Sequence, residues 1–282
     1  MFLDLGEPIQ RGVNAFIDRL VAGHGDGFEA VAGALLAPLV ALEQGLRAVP
    51  AWAVILAVGV IAYAAGRRIV PALGLSGCLY VIGCLGLWDQ AMQTVALMLV
   101  AVALAVLLGL PLGIGMARSR AARAMLGPAL DLMQTIPSFV YLIPAAMLFG
   151  LGKVPALLAT VIYATPPLVR LTDLGLRLVD PEIIEAGRAF GATRLQILRT
   201  VQLPLALPSI MQGINQATMM ALGMVVIASM IGARGVGETV LIGLQRADSG
   251  RGFVGGLAIV ILAVVMDRIT QAFGRRLQPF RA

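Results

Sequence analysis

Two stretches of an otherwise apolar sequence carry side chains that could handle a solute. Gln134, Thr135, Phe139 and Tyr141 lie in the first, with Asp131 just ahead of them. Asn215, Gln216, Thr218, Met219, Met220 and Met224 lie in the second. Amides and hydroxyls offer lone pairs, aromatic rings offer a negative face to a cation, and methionine sulfur is polarizable. A polar group inside a membrane span faces the bundle interior or a passage by default. Its plainer role is to hydrogen-bond one helix to another. The sequence leaves both roles open for these residues. Asp131 reads as a gate element or counter-charge on one view, and as an interfacial cap or ion-pair residue on the other. Arg170, Asp173 and Arg177 fall on one helix face by their spacings of three and four, an interfacial charge cluster.

A second kind of signal lies between these stretches. Asp180-Pro181-Glu182 reads as a helix N-cap, a proline at the first helical position and an acid in the first turn. The helix is expected over Pro181–Phe190, stopping at Gly191, which can take the left-handed conformation. Thr193 and Gln196 have the spacing of a capping box and open a second short helix over Arg194–Gln202, ending before Pro204. So well capped a loop carrying Ile183, Ile184, Phe190, Leu195 and Leu198 is expected to bind something.

Catalytic signatures are missing. There is no phosphate-binding G-x-x-x-x-G-K-[ST] run, since Gly152-Lys153 is followed by Val154. The glycines from Gly232 to Gly237 lack the spacing and setting of a dinucleotide site. With His24 as the only histidine, neither a metal-binding His pair nor an intramembrane Ser–His pair can form. Cys78 and Cys84 share one apolar run and read as buried small hydrophobes. No cofactor is expected in this chain, and no enzymatic activity.

The elements that must position these residues are membrane helices. Charged residues make up 13% of the chain, against about a quarter in soluble domains. Long charge-free runs such as Gln90–Ala117 and Thr200–Ala233 exceed the ~20 residues a span needs. The expected fold is all-α and polytopic, with about seven transmembrane helices after an N-terminal amphipathic one. The spans read as Ala51–Gly66, Ile69–Leu87, Gln90–Met116, Pro128–Phe149, Val154–Leu174, Leu205–Ile231 and Phe253–Phe273. Pro137 and Pro144 should bend or break the fourth. Residues Met1–Gly27 read as a flexible or surface tail without the features of a cleaved signal. Phe28–Val49 carries an apolar stripe at Phe28, Val31, Leu35, Leu39, Leu42, Leu46 and Val49, as a helix lying on the membrane or against another subunit would, with a true span as the alternative. The glycine-rich stretch Gly232–Gly252 reads as a loop or hinge.

In domains, 1–50 is the tail and amphipathic helix, 51–88 holds two helices, and 89–276 is the transmembrane core with the loop at 180–204. Arginines after spans one, three, five and seven, Arg281 among them, fall on one side, so the C-terminus and the 180–204 loop are expected in the cytoplasm and the N-terminus outside.

The loop residues Glu185, Ala186, Gly187, Gly191, Val201, Leu203 and Pro204 resemble the E-A-A-x3-G-x9-I-x-L-P loop of ABC-type import permeases, with Gly187 and Val201 as departures. Asp131–Pro144 (DLMQTIPSFVYLIP) and Gly213–Gly232 (GINQATMMALGMVVIASMIG) resemble strings of the glycine betaine/proline betaine/choline permease subfamily. The likeness covers roughly Leu87 to Arg276. It implies a type I importer permease fold and a coupling role for Glu182, Glu185, Ala186, Gly187, Gly191, Leu203 and Pro204. It implies a homodimer in the bacterial inner membrane, two cytoplasmic ATPases that hold ATP and Mg, and a separate extracytoplasmic solute-binding protein. A quaternary ammonium solute cannot donate N–H hydrogen bonds, so the lone pairs and π faces named at the outset become its expected passage. Asn215 and Met219 are expected to share the lining face. The competing readings are a permease of the same type for an amino acid such as methionine, and a passive channel or secondary transporter.

Overall fold

The computed structural model describes residues 6–276; Met1–Leu5 and Arg281 lie outside the described residues. Among those described, the chain is helical throughout, with no strand. The helices are α1 (Gly6–Ala48), α2 (Ala51–Gly66), α3 (Ile69–Cys84), α4 (Trp88–Arg118), α5 (Arg120–Thr135), α6 (Leu142–Phe149), α7 (Lys153–Arg177), α8 (Pro181–Ala189), α9 (Arg194–Ile197), α10 (Leu203–Ala228), α11 (Val236–Gln245) and α12 (Ser249–Arg276). Five are long and apolar enough to cross a membrane (α1, α4, α7, the run from α9 through α10, and α12), and six if the bent α5–α6 pair counts as one span. The all-α polytopic expectation holds. At 16 residues each, α2 and α3 are about 24 Å long, short of the ~30 Å hydrocarbon core.

Helix α7 is the centre, packed between α4 and α10. Small residues allow this. A methyl group on Gly113 of α4 would stand 2.5 Å from Thr172 Cβ of α7, and one on Gly175 of α7 would stand 2.6 Å from Ser209 Cβ of α10. Small residues at helix contacts let backbones approach, which is the main packing device where lipid supplies no hydrophobic drive.

Four expectations change. Residues Gly6–Gly27 are not a tail but the exposed first part of α1, which bends at His24. The apolar stripe of α1 does not simply face lipid: Leu39 is fully buried, and Leu35, Leu42 and Leu46 pack with it against α4 and α7 residues. Glu43, also buried, accepts from Lys153 at 2.6 Å and ties α1 to the start of α7. The stretch Gly232–Gly252 is largely helix, because its glycines serve close packing. A methyl group on Gly243 would stand 2.5 Å from Gly252 N, and one on Gly237 2.8 Å from Val226 Cα. The second loop helix does not end before Pro204. It runs through a wide π turn, Leu198–Gln202, into α10, where proline sits in the first turn. A π turn relieves the clash between a proline ring and the preceding turn.

The expected break in the fourth span is present: α5 and the segment Ser138–Phe149 meet at 109°. Pro137 is the cause. It has no N–H for the Met133 carbonyl. The Tyr141 hydroxyl donates to that carbonyl instead. Pro144 is harmless in the first turn of α6.

Candidate functional site

The loop end of the bundle is built by short-range chemistry. The Asp180 carboxylate accepts from Glu182 N at 2.9 Å and caps α8. Gly191 has φ +78°, and the following Ala192 N–H reaches back to Gly187 O at 3.1 Å, which closes the helix. Thr193 and Gln196 form the reciprocal capping box, at 3.3 and 2.7 Å. Arg118 at the end of α4 donates to Arg194 O at 3.2 Å and anchors the loop. Glu182, Glu185, Ala186 and Gly191 are exposed, and Phe190 at the tip is 92% exposed. Gly187 turns the other way: a methyl group there would meet Ile197 Cγ1 at 3.5 Å, ordinary contact. The site could therefore hold alanine, as the resembled pattern does. Leu203 and Pro204 are half-buried and open α10.

Ion pairs fasten α5 to α7 above this loop. Asp131 accepts from Arg170, so it is not the lone acid it could have been. Asp173, nearly buried, accepts from Arg123 at 3.0 Å and from Arg177 at 2.8 Å. The charge cluster on α7 is a structural tie between helices.

The solute-handling residues split by exposure. Gln134, Thr135 and Phe139 are exposed around the α5 break, and Tyr141 is half-buried with its ring 6.3 Å from that of Tyr163. On α10, Pro208, Gln212, Gln216 and Gly223 form one exposed face, at the spacing one side of a helix requires. Met219 and Met220 flank it, half-buried. Met224 is fully buried against Leu142 and Ala159. The Thr218 hydroxyl donates to Ile214 O of its own helix at 2.8 Å. Asn215 is buried and turned toward α12, where its side-chain NH₂ donates to Asp267 at 3.0 Å. It therefore does not share an open face with Met219; the open face belongs to Gln212 and Gln216. Asp267, also held by Gln271 at 2.8 Å, was missed because no local spacing joins positions 215 and 267.

A bundle with a passage-like polar face and a capped, exposed loop at one end defines a membrane-spanning transport subunit. Residues 105–279 match the family described as binding-protein-dependent transport system inner membrane component, and the chain belongs to that family. It is 46% identical over 271 residues to the glycine betaine/proline betaine transport system permease protein ProW of Escherichia coli (strain K12), covering 95% of this chain and 75% of that one. It is 41% identical over 264 residues to the glycine betaine transport system permease protein OpuAB of Bacillus subtilis (strain 168), covering 94% and 93%. It is 48% identical over 192 residues to the glycine betaine/carnitine transport permease protein GbuB of Listeria monocytogenes serotype 1/2a (strain 10403S), covering 68% of each. Its fold is similar to that of the inward-facing MetNI methionine ABC transporter, with TM-score 0.61 at 24% identity, covering 68% of this chain and 95% of that one.

Proposed function

We propose that this chain is the permease subunit of an ATP-driven importer for a quaternary ammonium solute such as glycine betaine, proline betaine or choline. The observation that carries the reading is the capped, exposed loop Asp180–Pro204 in a chain of this family. Relatives named for glycine betaine support the solute class. Two copies of the chain would enclose the passage, two cytoplasmic ATPases holding ATP and Mg would dock on the loops, and an extracytoplasmic binding protein would deliver solute. The arginine distribution supports a bacterial inner-membrane placement with the N-terminus outside and the C-terminus inside.

A coupling route would run from α8 across the Gly191 turn to α9, and on through the π turn into α10. Helix is continuous from α9 to α10, so a push on the loop would tilt the face that carries Gln212 and Gln216. Glu182 and Glu185 would offer charge to the ATPase, Ala186 a small contact surface, and Gly187, Gly191, Leu203 and Pro204 the shape of the lever. Gln134, Thr135, Phe139, Tyr141, Gln216, Met219 and Met220 would line the passage. Asn215, Thr218 and Met224 would support that face from behind. Asp131, paired with Arg170, would act as a gate element only if that pair opens.

The test is assembly. The chain, coexpressed with its ATPase, should copurify with it and hydrolyse ATP faster when loaded binding protein is added. Purification of the chain free of any ATPase, with no response to binding protein, would refute the reading.

A further inference from the structure

One sizeable cavity lies away from the exposed face of α10. It lies between the α2–α3 hairpin and α12, with a volume of about 900 Å³. Five arginines line it: Arg67 and Arg68 at the hairpin turn and Arg275 and Arg276 at the end of α12 form its mouth, and Arg268 lies about two turns further along α12. None of the five forms an ion pair among the described residues. Arg276 donates to Ala64 O at 2.8 Å, which holds the end of α12 against the end of α2. Asp267, the acid nearest in sequence, is engaged from the other side by Asn215 and Gln271. So much uncompensated positive charge at the end of a helical bundle calls for an anion.

The rest of the cavity says which kind. Its wall continues along α3 from Pro71 to Leu75 and Cys78, and along α12 to Val264. From Arg68 to Cys78 the helix rises about 15 Å. The groove is thus most charged at its mouth, with Arg268 the one charged residue further along α12 and an apolar wall on α3, and the outer faces of α2 and α3 carry exposed apolar residues such as Val60, Ile69, Val70 and Leu73. A free phosphate would use the mouth and leave the depth empty. We propose that this groove binds an anionic phospholipid, its phosphodiester among Arg67, Arg68, Arg275 and Arg276 at the mouth and an acyl chain along α3 toward Cys78. Basic pockets between transmembrane helices take anionic headgroups by this chemistry. The inference rests on the chain lying in a bilayer and is independent of the solute assigned above.

The experiment reads lipid retention, not transport. The full chain in nanodiscs is compared in phosphatidylcholine alone and with added phosphatidylglycerol of the same acyl chains. Native mass spectrometry counts retained lipid. Alkylation of Cys78, with Cys84→Ser removing the only other thiol, reports occupancy of the groove. Phosphatidylglycerol should be retained selectively and should slow Cys78 alkylation. In the triple variant Arg67→Gln/Arg68→Gln/Arg275→Gln, which spares the Arg276 contact, its affinity should fall roughly a hundredfold, about fivefold for each arginine. The matching triple lysine variant should restore retention. Equal retention of the two lipids would overturn the proposal. So would unchanged retention in the glutamine variant when the lysine variant shows the fold intact. Protection of Cys78 by inorganic phosphate as strong as by phosphatidylglycerol would overturn it in favour of a small-anion site.

Discussion

Asn215 on α10 donates to Asp267 on α12 across 3.0 Å, and both helices belong to runs long and apolar enough to cross a membrane. A carboxylate inside a bundle is costly unless its lone pairs are satisfied. The amides of Asn215 and Gln271 do that here. Asn215 is therefore an interhelical tie, and its neighbour Gln216 is the residue on the open face.

This separates two variants that sequence alone would treat alike. Asn215→Leu removes a hydrogen bond to a charged group and should cost about 1.5–3 kcal/mol, seen as a lower melting temperature of the assembled complex. Gln216→Trp should leave that temperature unchanged and reduce uptake to near background. If Asn215→Leu melts normally while uptake is lost, the passage runs past Asn215 after all.

One hydroxyl satisfies the carbonyl left free at the bend between α5 and α6. Tyr141→Phe leaves the Met133 carbonyl without the donor that Pro137 denies it. The expected cost is about 1 kcal/mol, with faster amide exchange over Leu142–Phe149. Unchanged exchange there would show that the bend is held by packing alone.

The 180–204 loop was legible in the sequence because its signals are local. Asp180, Gly191 and the Thr193–Gln196 pair each act within four residues, and each acts as expected. The chain ends of most long helices were legible from charge. What escaped was long-range or ambiguous. Asp267 finds Asn215 across 52 positions. Glycines in 232–252 signal a loop in sequence, yet Gly237 and Gly243 are there because other backbone lies against them. Pro204 looked like a stop, and the π turn before it accommodates the ring.

The loop assignment has its own test. Glu185→Ala with Gly191→Leu removes an exposed charge and forces a β-carbon into a backbone with φ +78°, at roughly 1–2 kcal/mol. The permease should still insert and melt nearly as before, while binding-protein-stimulated ATP hydrolysis drops. Full stimulation in the double variant would remove the loop from the coupling route.

Orientation is testable by single cysteines. A reporter at Arg120 or Arg276 should label from the cytoplasm, and one at Asp248 from outside. Labelling of Asp248 and Arg276 from the same side would mean that α12 does not cross.

ATP-driven import of a quaternary ammonium solute is read out by uptake into vesicles. Vesicles containing this chain and its ATPase, with binding protein on the opposite face from the nucleotide, are given radiolabelled glycine betaine. Glycine betaine should accumulate above its outside concentration, with ATP required on the side of the Asp180–Pro204 loop and no competition by methionine. Equilibration without ATP, or accumulation of methionine in place of glycine betaine, would contradict it.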